Sequence, residues 1–216
     1  MDIALIGGHG KVALLTEPLL TQAGHEVAAV IRNPDQATTV EATGARAVVA
    51  DIESLDADGW DELLRGKDAV IWAAGAGGGN PRRTYAIDRD AAIASMEAAA
   101  RVGVSRYVMV SYFGAGPDHG VDEDSDFYPY ADAKSTADAH LEGTDLDWVI
   151  LRPSALTEAA ATGSIDARSD EGGEVSRENV AQVAAAVVEH PGAAGTVITF
   201  NDGPTPIPEA IDDLLD

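Results

Sequence analysis

Short, uniformly apolar segments alternate along the chain with segments in which apolar residues recur at helical spacing. Residues 2–7 (DIALIG) and 68–74 (DAVIWAA) are of the first kind, and they are typical of buried strands. Further strands are predicted at 25–31, 45–50, 106–111, 148–151 and 196–200. The second kind predicts helices at 11–23, 60–64, 85–102, 129–141, 176–189 and 208–215. Pro18 lies inside the first of these helices and should kink it or delay its start.

Strands that are apolar on both faces, each followed by a helix, require a parallel sheet that is covered on both sides. Because crossovers between parallel strands are right-handed, a doubly wound sheet (a Rossmann fold) is the simplest arrangement. A closed eight-fold barrel would need a longer chain than these 216 residues. We therefore predict a single α/β domain over 1–216 with helices on both faces, in which 153–216 form a small, substrate-side C-terminal extension.

The charge of the chain limits its partners. There are 37 acidic and 14 basic residues, which give a net charge of −23, and such a surface repels nucleic acids and anionic membranes. No apolar run approaches the ~18 residues of a membrane span, and the N-terminus lacks the basic start of a signal peptide. We expect a cytoplasmic protein. The excess of acid, with arginine strongly preferred over lysine, favours either a halophilic source or a GC-rich genome.

Metal binding and disulfide formation are not expected. The chain has no cysteine, which excludes disulfides and thiolate ligands, and its five histidines lack metal-ligand spacing. Three alternate aspartates at 122, 124 and 126 imitate the start of a calcium loop. Phe127 and Ala133, however, stand where that loop needs glycine and glutamate. We interpret the stretch as a solvated acidic loop.

A glycine-rich turn follows the first predicted strand and opens the first predicted helix. Residues 7–13 (GGHGKVA) match G-x-G-x-x-G/A from Gly8 and G-x-x-G-x-x-G/A from Gly7, with Ala13 in the third position. Glycines let the backbone approach a pyrophosphate, which then rests on the helix N-terminus. This predicts dinucleotide binding, with a purely structural turn as the alternative. The predicted contacts are Gly7, Gly8, His9, Gly10, Lys11 and Val12.

The ends of the next strands supply candidate contacts to the rest of the dinucleotide. Arg32 follows the second strand, where NAD-binding sheets usually carry a carboxylate, and an arginine there suits the 2′-phosphate of NADP. This favours NADP over NAD, although Arg32 could also be an ordinary surface residue. Asp51 ends the third strand, where it could reach the adenine or cap a helix. The fourth strand ends in three residues with small or no side chains, Ala73, Ala74 and Gly75. Small residues are expected where the backbone lies against a cofactor, and a simple turn is the alternative.

A second group of candidate residues follows the fifth strand. Tyr130 and Lys134 are four residues apart in a predicted helix, so they share one helix face, and Ser111 ends the strand before that helix. A nearby ammonium group lowers the pKa of a phenol, which prepares it for proton transfer. The group therefore predicts a catalytic Ser–Tyr–Lys site, and a surface Tyr–Lys pair is the alternative.

These segments together resemble the short-chain dehydrogenase/reductase superfamily. They are most similar to its atypical, NmrA-like NAD(P)-binding branch, to which biliverdin reductase B-like and flavin reductase proteins are related. The resemblance covers nearly the whole chain. It is carried by IGGHGKVA (6–13), VIRNP (30–34), ADI (50–52), WAAGAG (72–77), YVMVS (107–111), YADAK (130–134) and LDWVILRPSAL (146–156).

The resemblance implies a role for each matching residue. Ile52 would join Asp51 in contacting the cofactor, and the chain after Pro153 would line its nicotinamide end. Ser111, Tyr130 and Lys134 would take the catalytic positions, with Lys134 also touching the nicotinamide ribose. Ala13 departs from the family pattern, which has a third glycine.

The most direct functional interpretation is an NAD(P)H-dependent oxidoreductase that transfers hydride to a small carbonyl or conjugated acceptor. Tyr130 would protonate the developing oxyanion and Ser111 would donate a hydrogen bond to it. One alternative is a non-catalytic module that senses NAD(P) and signals to a protein partner. A second is a sugar-nucleotide epimerase or dehydratase, which the 63 residues after Pro153 make too small for the usual substrate lobe. A monomer or a homodimer is expected.

Overall fold

The computed structural model describes residues 1–77 and 79–215, and eleven strands lie within these ranges. They are β1 (Asp2–Ile6), β2 (Glu26–Ile31), β3 (Arg46–Val49), β4 (Ala69–Trp72), β5 (Arg106–Val110), β6 (Asp147–Pro153), β7 (Ala155–Thr157), β8 (Ser164–Asp166), β9 (Glu174–Ser176), β10 (Thr196–Asp202) and β11 (Thr205–Pro206). Nine of them form one sheet in the order β11-β8-β10-β6-β5-β4-β1-β2-β3. Strand β8 is antiparallel to β10 and β11, whereas the strands from β10 to β3 are parallel. Strands β7 and β9 form a separate parallel pair.

The helices connect these strands and lie on both faces of the sheet. They are α1 (Lys11–Gln22), α2 (Ala37–Glu41), α3 (Ala57–Leu64), α4 (Pro81–Thr84), α5 (Ala92–Val102), α6 (Tyr128–Glu142), α7 (Arg177–Glu189) and α8 (Ile207–Leu215). A π-helical segment, Tyr85–Ala91, joins α4 to α5, and short 3-10 turns cover Pro34–Gln36 and Pro191–Ala193.

Alternating residues of the central strands divide the core into two layers. Ile3 and Leu5 of β1 pack in one cluster with residues of α1, α7 and α8. Ala4 and Ile6 of the same strand pack in the other cluster with residues of α3, α5 and α6. Because every second side chain of a strand faces the same side, a strand that is buried on both faces must be apolar throughout. The predicted doubly wound α/β fold is confirmed.

The strand order reverses at β1, and this reversal creates a crevice. The last residue of β1, Ile6, lies in register with Val30 of β2 on one side and with Trp72 of β4 on the other. The chains leaving β2 and β4 turn to opposite faces of the sheet, so the carboxyl ends of these strands enclose an opening. In doubly wound sheets this is the position at which ligands bind.

Several boundaries differ from those predicted. Helix α1 begins at Lys11 and contains Pro18, which leaves only the Leu14 carbonyl without its helical donor. The predicted helix 85–102 extends back to Pro81 because Asn80 caps it, and it begins with α4 and the π-helical segment. Strands β7, β8, β9 and β11 were not predicted. Each has only two or three residues, too few to show a period.

Helix α1 buries a carboxyl group in this core. Glu17 is fully buried, and its Oε2 accepts a hydrogen bond of 2.8 Å from the Thr43 hydroxyl. Its Oε1 has no hydrogen-bond partner among the described residues. Burial raises the pKa of Glu17 from 4.5 to about 7, and the hydrogen bond from Thr43 opposes this only in part.

Replacing this group should change how stability depends on pH. Because the folded-state pKa lies above the ordinary value, the native state binds more protons than the unfolded state, and stability falls as the pH rises from 4.5 to about 7. Glu17→Gln keeps the acceptor for Thr43 and does not titrate. Urea unfolding at several pH values should therefore show the variant gaining roughly 3 kcal/mol on the wild type over that range.

The matched control for this prediction is Glu41→Gln, which neutralises an exposed carboxylate on the neighbouring helix α2. Its stability relative to wild type reports the effect of removing one surface charge. A Glu17→Gln effect that is independent of pH would contradict the assignment of a buried, titrating carboxyl.

Candidate functional site

A cleft of about 250 Å³ lies at the carboxyl ends of β1, β2 and β4, where the strand order reverses. Nine of the residues predicted to contact a dinucleotide line it: Gly7, His9, Gly10, Arg32, Asp51, Ile52, Ala73, Ala74 and Gly75. Five other predicted contacts do not line it: Gly8, Lys11, Val12, Lys134 and Pro153. The structure thus brings the ends of four strands together around one opening.

The glycine turn allows the strand ends to approach each other closely. Gly7 has a φ of +89°, and a Cβ placed on it would lie 2.6 Å from the Cα of Ala74. A Cβ on Gly8 would lie 2.7 Å from the Cβ of Ala29. Gly8 is therefore required for packing beneath the turn, and this explains why it is absent from the cleft wall.

The N-terminus of α1 opens into this cleft. Gly10 is its N-cap residue and, among the described residues, no side chain caps the helix. The first backbone N–H groups of a helix have no partner within it, and they favour a negatively charged group. A pyrophosphate fits this arrangement, since it would accept these N–H groups where no protein side chain does.

Two predicted contacts have side chains that are engaged elsewhere. The Lys11 ammonium donates a hydrogen bond of 2.6 Å to Glu158, a residue that also pairs with Arg177 at 3.0 Å. Val12 packs against the core. In this structure neither side chain is directed into the cleft. Pro153 is buried at the end of β6, where its carbonyl accepts the N–H of Phe113 at 2.8 Å.

The end of β2 offers a cation. Arg32 is exposed and lines the cleft. The neighbouring Asn33 caps the following turn by accepting the N–H of Asp35 at 3.0 Å. The Asp51 carboxylate lines the cleft and also accepts the N–H of Glu53 at 3.3 Å. The following helix α3 is capped by Asp56, which accepts the N–H of Gly59 at 2.9 Å, so the alternative interpretation of Asp51 as a helix cap was wrong. The position of Asp51 in the cleft is compatible with a cofactor contact.

A second arginine lines the cleft and was not predicted from the sequence. Arg83 donates a hydrogen bond of 2.7 Å to the carbonyl of Ala76, and its Nε lies 3.6 Å from a carboxylate oxygen of Glu53. Asn80 and Pro81 place it, because Asn80 accepts the N–H of Arg83 and Pro81 opens α4. The same Asn-Pro pattern occurs at 33–34, where Asn33 caps the 3-10 turn Pro34–Gln36, so the pattern at 80–81 was a signal that the sequence contained.

Tyr130 and Lys134 both lie on α6, and Ser111 directly follows β5, but their side chains have different surroundings. Tyr130 lines a second cavity, of about 1020 Å³, which shares Gly75 with the cleft. Lys134 is buried and donates a hydrogen bond of 2.8 Å to the carbonyl of Val110. Ser111 is buried and donates one of 2.8 Å to Asp138.

The expected lowering of the tyrosine pKa is not found. Burial raises the pKa of Tyr130 above its ordinary value, and the carboxylates of Asp88 and Asp138 act in the same direction. Burial lowers the pKa of Lys134, while the same two carboxylates oppose that change. The charge of Lys134 is therefore balanced by two buried aspartates rather than directed at the phenol. In this structure the expectation was wrong.

Asp88 is a further residue that the sequence analysis did not identify. It is 1% exposed, and its Oδ2 accepts the N–H of Ala76 at 3.0 Å. Its Oδ1 has no hydrogen-bond partner within the described chain, and a Cβ on Gly75 would come within 3.3 Å of it. Burial raises its pKa. Asp88 belongs to the π-helical segment, and such an irregularity is common at functional sites. The sequence contained one signal for this residue, namely an aspartate among the apolar positions of a predicted helix.

The described residues, 1–77 and 79–215, contain no group of three or more His, Asp or Glu side chains that could hold a metal ion. None of their helices is both long enough and apolar enough to cross a membrane.

Comparison with known proteins identifies the class to which this site belongs. Residues 7–191 match the family model described as NAD(P)H-binding, and the chain belongs to that family. This match agrees with the predicted resemblance to the atypical, NmrA-like NAD(P)-binding branch, and it confirms the predicted nicotinamide cofactor. The choice between NADP and NAD stays a prediction.

Individual relatives span nearly the full length of the chain. The "Uncharacterized sugar epimerase YhfK" of Bacillus subtilis is 33% identical, covering 99% of this chain and 100% of its own. A solved structure from Bacillus halodurans, provisionally named an NAD-dependent epimerase/dehydratase, is 30% identical with a TM-score of 0.90, covering 99% of both chains. ChuY, an anaerobillin reductase from Escherichia coli O157:H7, is 25% identical with a TM-score of 0.77, covering 95% of this chain and 100% of its own.

The close approach at Gly7 generates a prediction with an internal control. Gly7 and Gly24 share a φ of +89°, but a Cβ on Gly24 would meet nothing within 4 Å. Gly24→Ala should cost only backbone strain, about 1 kcal/mol. Gly7→Ala should cost about 1–3 kcal/mol more and should also weaken cofactor binding, because the Ala74 backbone must move. Urea unfolding and cofactor titration measure both effects, and equal losses of stability in the two variants would contradict the prediction.

Proposed function

We propose that the protein is an NAD(P)H-dependent reductase that transfers hydride to a small carbonyl or conjugated acceptor. The observation that carries this proposal is the shared wall of the two openings. Gly75 lines both the cleft at the end of β1 and the cavity that contains Tyr130. A cofactor extending along the cleft would thus reach the place where a tyrosine can meet an acceptor.

The chain offers groups for each part of a dinucleotide. The uncapped N-terminus of α1 would hold the pyrophosphate. Arg32 would hold the 2′-phosphate of NADPH, since a guanidinium binds phosphate with paired hydrogen bonds. Asp51 and Ile52, at the same end of the cleft, would contact the adenosine. When bound, the reduced nicotinamide supplies a hydride.

Tyr130 is the proposed proton donor. As the acceptor carbon gains hydride, the electron pair of its C=O bond moves to oxygen, which takes the proton of the Tyr130 hydroxyl; solvent then reprotonates the phenol. This hydroxyl is protonated at neutral pH, since the ordinary pKa of a phenol is about 10 and burial raises it further.

Ser111 and Lys134 have positioning roles in this proposal. Ser111 already donates its proton to Asp138, so it would have to leave that carboxylate to stabilise an oxyanion. Lys134 fixes α6 against the end of β5 through the Val110 carbonyl. Together they set the position of the helix that carries Tyr130.

The relatives support a reductase and also define its rival. ChuY is named a reductase, whereas the Bacillus subtilis relative is named a sugar epimerase. An epimerase returns the hydride to its substrate and therefore consumes no reduced cofactor. A cofactor sensor binds the cofactor without turnover. Net oxidation of NADPH that depends on an acceptor separates the reductase from both.

Removing the Tyr130 hydroxyl should abolish most turnover. Tyr130→Phe should leave NADPH affinity nearly unchanged and lower kcat by about 10²-fold, the usual effect of losing a general acid. Tyr128→Phe, two residues earlier on α6 and outside the cavity wall, should retain wild-type kcat. Stopped-flow or steady-state NADPH oxidation with a panel of aldehydes measures both. Equal kcat in wild type and Tyr130→Phe would remove Tyr130 from the reaction.

The choice of cofactor should depend on Arg32. Charged hydrogen bonds contribute roughly 1.5–3 kcal/mol each, so wild type should bind NADPH about 10- to 100-fold more tightly than NADH. Arg32→Ala should lose most of this preference and bind NADH almost unchanged. Arg46→Ala removes an exposed arginine on β3 that does not line the cleft, and it should preserve the preference. Tighter binding of NADH than of NADPH by wild type would overturn the assignment.

A further inference from the structure

The cavity that contains Tyr130 has a strongly negative wall. Its volume is about 1020 Å³, and Glu123, Asp124 and Asp126 line it on the side of the loop before α6. Among the described residues, those lining the cavity include neither lysine nor arginine. We call it the acidic cavity.

The two openings differ in the charge of the residues that line them. The adjoining cleft, which would receive an anionic cofactor, is lined by Arg32 and Arg83 as well as by Asp51. The chain has only 14 basic residues in 216, and it places two of them at the cleft. Within the described chain, two arginines therefore line the opening that would receive an anion, whereas three carboxylates and no cation line the neighbouring one.

Aromatic rings stand beside these carboxylates. Phe127 and Tyr130 both line the acidic cavity, with ring centroids 5.3 Å apart and planes inclined by 46°. Tyr112 packs against both, at 5.4 and 5.5 Å. Phe127 is 45% exposed although it is a large apolar side chain. An aromatic face attracts a cation, and an exposed ring next to carboxylates provides the two contacts that organic cations use.

We propose that the acidic cavity selects an aromatic or heteroaromatic acceptor that carries a positive charge, and that it discriminates against anionic acceptors. The charged part of the acceptor would lie between Phe127 and the carboxylates of the 123–126 loop, with its reducible carbon towards Tyr130 and Gly75. The inference deepens the proposed function and rests on it for the place where the acceptor binds. It also disfavours sugar nucleotides, whose phosphates the same carboxylates would repel.

The test uses three aldehydes of similar shape but different charge. These are 4-(trimethylammonio)benzaldehyde, its uncharged isostere 4-tert-butylbenzaldehyde, and anionic 4-carboxybenzaldehyde. Binding of each is measured by calorimetry to the protein saturated with oxidised cofactor, where no reduction can occur, and turnover is measured separately with NADPH. The cation should bind at least about tenfold more tightly than the anion at low salt, and this ratio should shrink in 1 M KCl.

Two variants separate the contributions of charge and ring. The triple variant E123Q/D124N/D126N should remove most of the discrimination between cation and anion. Phe127→Leu should reduce the preference for the cation over its uncharged isostere by about 2- to 5-fold. A matched triple variant, E41Q/D58N/E97Q, makes the same change of net charge at exposed positions outside both openings, and it should leave both ratios unchanged.

The outcomes distinguish this inference from the proposed function. Selective binding of the cation without reduction of any aldehyde would support the acidic cavity and count against the reductase. Reduction of all three aldehydes with similar affinities would support the reductase and overturn the inference. Failure of wild type to bind any of the three, or equal ratios in the two triple variants, would overturn it as well.

Discussion

The close contact between Gly7 and the backbone of Ala74 is the constraint on which the rest of the site depends. A Cβ on Gly7 would lie 2.6 Å from the Cα of Ala74. Without a side chain at Gly7, the chain can turn out of β1 directly beside the end of β4 and begin α1 three residues after Gly8. This turn places the uncapped helix N-terminus at the crevice and leaves Ala73, Ala74 and Gly75 as its opposite wall.

Three buried charged side chains, with a nearby arginine, form one group behind the two openings. Lys134, Asp88 and Asp138 are each 1% exposed, and each carboxylate acts on the pKa of the lysine. Arg152 pairs with Asp138 at 3.1 Å. Burying single charges is costly, but a group in which cations and carboxylates alternate is tolerated when its members also accept or donate hydrogen bonds. This group connects the end of β5, helix α6 and the π-helical segment, so it sets the positions of Tyr130 and of the wall at Gly75.

The acidity of the protein has different consequences at different scales. A net charge of −23 opposes every anionic ligand at long range. At short range the cleft counters it with Arg32, Arg83 and the positive end of α1, whereas the acidic cavity reinforces it. The two openings share one residue yet have opposite local charge, and this contrast assigns a different ligand chemistry to each.

The sequence by itself was sufficient for the doubly wound α/β fold class and for nine of the residues that line the cofactor cleft. The parallel strands are apolar throughout because both of their faces are buried, and the glycine turn directly follows the first strand in the sequence. Arg32 and Asp51 were predicted from the sequence because the ends of parallel strands meet at one edge of a sheet.

The structure alone decided the surroundings of the side chains on α6. Tyr130 and Lys134 share a helix face, but only tertiary packing sets two buried aspartates beside the lysine and assigns the Ser111 proton to Asp138. Asp88 and Arg83 come from a segment whose helical irregularity has no sequence period. Spacing along the chain predicts which residues share a helix face. The pKa of a group depends instead on the side chains that other elements pack against it, and only the tertiary structure brings these together.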